Sequence, residues 1–90
     1  MLNMVDRAQT ALRDVNPASA SAENLLELGM MYCTGHDVEL NLIQAHKWLN
    51  LAALKGSIEA KEYRCEISRE MSPGDIAEAQ RQARAWLTLH

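Results

Sequence analysis

Ninety residues with 48% hydrophobic content are enough for one core and too few for two. Nine Lys or Arg against twelve Asp or Glu leave a net charge of −3, so the field that draws proteins to phosphate backbones is missing and nucleic acid is not an expected partner. No apolar run reaches the ~20 residues that span a bilayer. Asp6, Arg7 and Arg13 also break the N-terminal stretch where a secretion signal would be apolar, so the expectation is a cytoplasmic protein without membrane insertion.

Only Tyr32, Trp48, Tyr63 and Trp86 are aromatic, Phe is absent and alanine is abundant, a helical composition. The two cysteines, Cys33 and Cys65, both fall in helical patterns, which predicts free thiols rather than a disulfide framework. In residues 3–15, Val5, Ala8, Leu12 and Val15 make one apolar helical stripe. The stretch "NPASASA" interrupts it, because Pro17 lacks an amide hydrogen and disfavours helix at Asn16. From Ser21, a predicted N-cap, the next helix carries two apolar stripes, one of Leu25, Leu28 and Tyr32 and another of Leu26, Met30 and Cys33. Gly35 suits the left-handed residue that closes a helix, and "HDVELN" is the predicted loop.

Asn41 followed by Gln44 is a capping-box pattern for a third helix, with Ala45, Trp48, Leu49, Ala52 and Ala53 on its core side and Gly56 at its end. Ser57 is placed to cap a fourth helix, in which Ala60, Tyr63, Ile67 and Met71 face inward and Glu62, Glu66 and Glu70 form a charged row. Ser72 and Pro73 begin a fifth helix. There Ile76, Ala79, Ala83, Trp86 and Leu87 form the stripe, while Glu78, Gln80, Arg81 and Arg84 stay outside. Every apolar stripe is helical, so the predicted class is all-α.

An internal repeat organises these helices. Ala45 and Trp48 recur as Ala83 and Trp86 at an offset of 38, and Leu25, Leu28 and Tyr32 align with Ala60, Tyr63 and Ile67 at an offset of 35. Residues 25–60 resemble a Sel-one-like repeat (SLR), a relative of the tetratricopeptide repeat. The matching positions are Leu28, Gly29, Tyr32, Gly35, Val38, Ala45, Trp48, Ala52, Ala53, Gly56 and Ala60. The segment "MSPGDIAEAQRQARAWL" looks like the closing segment of short bacterial members.

The resemblance implies a short right-handed α-α superhelix, a solenoid of about two helix-hairpin repeats. It divides a single domain, 1–90, into an N-terminal capping helix over 3–15, a first repeat over 21–56 and a degenerate second repeat over 57–90. Arg64 stands in the second copy where the paired glycine belongs, and no glycine follows Ile67. The first helix either covers Leu26, Met30 and Cys33 or swaps onto a second protomer through the Pro17 hinge.

No catalytic constellation stands out. Cys33, His36, His46 and Cys65 are acceptable zinc ligands by type, but only one spacing is tight; the expectation is instead one buried thiol, a loop histidine and a surface histidine. Cys65 neighbours Glu62 and Glu66, a poor setting for a nucleophile. No phosphate loop or Ser-His-Asp order occurs, so neither enzyme nor cofactor is expected. The SLR resemblance implies a non-catalytic adaptor that binds another protein or peptide. Its concave surface is lined by the first helix of each pair, which falls on Asn24, Glu27 and Met31 and on Lys61 and Arg64, with Glu62 and Ser68 beside them. An exposed Met31 would suit such a surface. The alternative is a homodimer that buries Ile76, Ala83, Trp86, Leu87 and Leu89 of the last helix, and the row Glu62, Glu66 and Glu70 invites a basic partner.

Overall fold

The computed structural model describes residues 20–89, apart from the Leu89 side chain. The predicted helix over 3–15 and both of its proposed placements lie outside the described residues. Among those residues the chain is all-helical: α1 is Ala22–Thr34, α2 Leu42–Leu54, α3 Ile58–Ser68 and α4 Pro73–Leu89.

Each start follows from a short polar side chain that accepts an otherwise orphaned amide. Ser21 accepts from Asn24, Asn41 from Gln44, Ser57 from Ala60 and Ser72 from Asp75, at 3.0 to 3.1 Å. The reciprocal half of the expected capping box at Asn41 does not form. The Asn41 amide donates to the Tyr32 carbonyl, closing the loop after α1, and the Gln44 side chain reaches α4 instead. Helix α1 ends on Gly35 at φ 70°, and the chain continues through Asp37, also left-handed at φ 66°. Thus the Cys33-x-x-His36 spacing spans a helix end and its turn. Helix α3 stops at Ser68, before the predicted Met71, and the chain tightens into i→i+3 bonds from Arg69 to Met71.

Helix α2 is the hub, packed against α1, α3 and α4, while α4 does not run closely along α3. Leu25 and Leu28 of α1 meet Ala45, Trp48, Leu49 and Ala52 of α2 in the core, joined by Ala60, Ile67, Ala83 and Trp86. Leu51 belongs there too, although it lies outside the predicted core side of that helix. At Gly29 a Cβ would lie 2.6 Å from the Leu49 side chain, so glycine is what allows α1 and α2 their close approach.

Helices α2 and α4 touch through the residues that repeat. The Trp48 and Trp86 rings meet edge to face with centroids 5.5 Å apart, and Gln44 donates to Gln82 at 3.0 Å. Both pairs are 38 residues apart and four residues separate one pair from the next along each helix, so α2 and α4 run parallel and in register. Helices α1 and α3 are parallel as well: their first residues, Ala22 and Ile58, share one depression, and Cys33 and Ile67 share another near their ends.

Five residues differ in burial from what the stripes predict. Met31 is 6% exposed, because it lies one turn beyond Leu28 and shares its inward side. His46 is 2% exposed rather than on the surface, because α3 packs over that side of α2. Leu87, expected on the inner stripe of α4, is 41% exposed; it follows Trp86 directly and is rotated away from the buried line of Ala79, Ala83 and Trp86. Ala53 and Cys33 are half-buried rather than buried.

Candidate interaction surface

The predicted concave residues do not form one open surface. Asn24 and Lys61 are exposed, Met31 is buried, and Glu27 and Arg64 are half-buried. The Arg64 guanidinium donates to the Asn50 side chain of α2, and Ser68 donates to the Arg64 carbonyl at 2.7 Å. This flank of α3 is therefore spent on holding α2.

His46 joins the same network. The single hydroxyl proton of Ser68 goes to the Arg64 carbonyl, so the contact at 3.1 Å between Ser68 and His46 is a donation from His46 Nε2. Its Nδ1 is buried without a hydrogen-bond partner, which suits a lone pair better than a second N–H. Burial first, and the Arg64 charge second, push the His46 pKa below its ordinary value, against a smaller opposing backbone contribution. On α4, hydrogen bonds from Arg81 and then Gln82 hold the exposed Glu78 carboxyl at about 2.

Among the described residues, two depressions lie on the other flank of α1 and α3. Ala22, Leu26, Met30 and Cys33 recur at helical spacing along α1, and α3 runs beside them. Between the two helices lie successive depressions of about 280 and 300 Å³. The half-buried Leu26 and the exposed Ile58 line the first, together with Glu23 and Glu59. Met30, Cys33, Leu42, Tyr63 and Ile67 floor the second, with Glu66 and Glu70 at its rim. No Lys or Arg lines either one among the described residues. Burial raises the Cys33 pKa, and Glu66 and Glu70 raise it further, the opposite of what activates a thiol nucleophile.

The four residues with zinc-ligand side chains are dispersed. Cys33 lines the groove, His36 lies in the exposed loop beside Asp37 at 3.8 Å, His46 sits beneath α3, and Cys65 is exposed on α3. No group of three metal-capable side chains gathers among the described residues. No described helix is long and apolar enough to cross a membrane. Sequence reasoning named the stripe Leu26, Met30 and Cys33 and the row Glu62, Glu66 and Glu70 separately; the parallel pairing of α1 and α3 brings the stripe beside Glu66 and Glu70. Compared with protein-family models, with characterised proteins and with solved structures, the chain has no match.

Proposed function

We propose that this chain is a non-catalytic interaction module, a short SLR-like stack of helix pairs that holds a partner protein on its surface. The observation that carries this reading is the contact of like with like, in which Trp48 meets Trp86 and Gln44 meets Gln82 at an offset of 38. Stacked helical repeats bury a continuous core between successive units and leave a long side surface for ligands, as a solenoid does. The parallel course of α1 and α3 supplies such a side here. The alternative, a homodimer through the last helix, has less to recommend it: Ala83 and Trp86, which it would bury, already pack in the core with α2.

Placing a photo-crosslinking amino acid at Asn24, Met30 or Lys61, with Arg84 as a control, tests the module reading in cells of origin. A discrete adduct from the α1–α3 side is expected. It should recur at one-to-one stoichiometry when the captured protein is purified and mixed with the chain. Absence of an adduct at every position, or adducts from Arg84 alone, would overturn it.

A further inference from the structure

The seam between α1 and α3 has a chemistry that narrows the kind of partner. We infer that it binds a cationic amphipathic helix of a partner protein, its apolar side chains seated in the two depressions and its Lys or Arg side chains against Glu23, Glu59, Glu66 and Glu70. This rests on the interaction-module reading and specifies the partner within it.

Geometry and charge carry the inference together. From Ala22 to Cys33 the α1 stripe covers about 17 Å at 1.5 Å per residue, or about three turns of a guest helix. Its apolar positions, at spacings of four, four and three, make a continuous apolar stripe along α1, long enough to face the i, i+3/i+4 and i+7 anchors of a guest helix. The seam offers little to an extended chain, because it has no strand edge among the described residues and the Thr34 hydroxyl already donates to the Met30 carbonyl at 2.8 Å. What remains is apolar floor and carboxylate acceptors. Glu59, Glu66 and Glu70 have no ion-pair partner among the described residues, while Arg64 is held by Asn50 on the opposite flank. Complementarity at such a rim calls for positive charge on the guest. The half-buried Cys33 on the floor gives a built-in reporter of occupancy.

The probe is a synthetic helix-forming peptide with leucines at one helical stripe and lysines flanking it, beside a counterpart in which every lysine is glutamate. Both are titrated into the full chain carrying Cys65→Ser, so that Cys33 is the only thiol, with anisotropy for binding and the rate of Cys33 alkylation for occupancy. The lysine peptide should bind and slow alkylation, the glutamate peptide should do neither, and Glu66→Lys with Glu70→Lys should weaken lysine-peptide binding by about tenfold or more with the circular dichroism unchanged. Alkylation is compared with and without peptide in each variant, since the charge changes also act on the thiol.

The inference is overturned if the lysine peptide does not bind, or binds while Cys33 reacts unhindered. It is likewise overturned if Cys33 is already protected in the free chain. Release of that protection by Arg7→Glu with Arg13→Glu would identify the chain's own N-terminal stretch as occupant, and protection that grows with protein concentration would identify a second copy. Failure of the peptide leaves the crosslinking result at Asn24 and Lys61 to decide the broader module reading.

Discussion

At His46 a single buried ring couples protonation to stability. The folded chain holds it neutral, with its pKa pushed below 6.5, while the unfolded chain takes up a proton near that value. Acidification therefore favours the unfolded state. The His46 contribution should be flat above about pH 6.5 and fall as pH drops through that value, by at most about 1.4 kcal/mol per pH unit, until the folded ring titrates too. In His46→Gln the amide can still donate to Ser68, so this part of the acid loss should disappear. Denaturant melts between about pH 7.5 and 5.5 check it. Parallel profiles for the two proteins would show that His46 does not carry the loss. Sequence alone gave no sign of this burial, since a histidine between Ala45 and Lys47 reads equally well on either side of a helix until α3 is placed over it.

Among the helices, α4 depends on α2 in a way that α1 and α3 do not. It approaches the rest of the molecule mainly through α2, with the Trp48–Trp86 contact at the centre. Truncating a buried Trp costs about 3 to 5 kcal/mol, and a domain of this size has only about 4 to 10 kcal/mol to lose. Trp48→Ala removes the hub residue and should unfold the chain or nearly so. Trp86→Ala should instead release α4 first. Hydrogen exchange followed by mass spectrometry would then report lost protection in Pro73–Leu89 while Ala22–Thr34 and Leu42–Leu54 stay protected. Uniform loss across all four helices would mean that α4 is not a separable unit.

The element boundaries were legible because Ser21, Asn41, Ser57 and Ser72 announce helix starts by local chemistry, and Gly35 and Gly56 announce ends. The open face was not. Helix α1 has apolar residues on two sides, and only the placement of α3 reveals that Leu26, Met30 and Cys33 border the groove while Met31 is buried. Arg64 shows a related effect: a long cation on a predicted concave face looks available until its acceptor, Asn50 on another helix, is known.

For the molecule as a whole, the side chains that a dimer through α4 would need are largely in use. Ala79, Ala83 and Trp86 are buried, leaving Leu87 and the half-buried Ile76 as the apolar remainder of that stripe among the described side chains. Light scattering over a micromolar concentration series should therefore return the monomer mass, 10.1 kDa. A mass rising toward twice that value would move attention to Leu87 and its surroundings. The in-register packing of α2 and α4 has a further consequence. Setting an object beside its own copy by the same displacement is how a crystal grows, and such growth halts when the newest layer no longer resembles the one it was laid upon. Helix α4 keeps the Gln82, Ala83 and Trp86 that let it settle on α2, but it is coated elsewhere with Gln80, Arg81, Arg84 and Thr88, all exposed. A further helix laid against that side would meet chiefly polar side chains rather than an apolar seat like the one α2 gives α4.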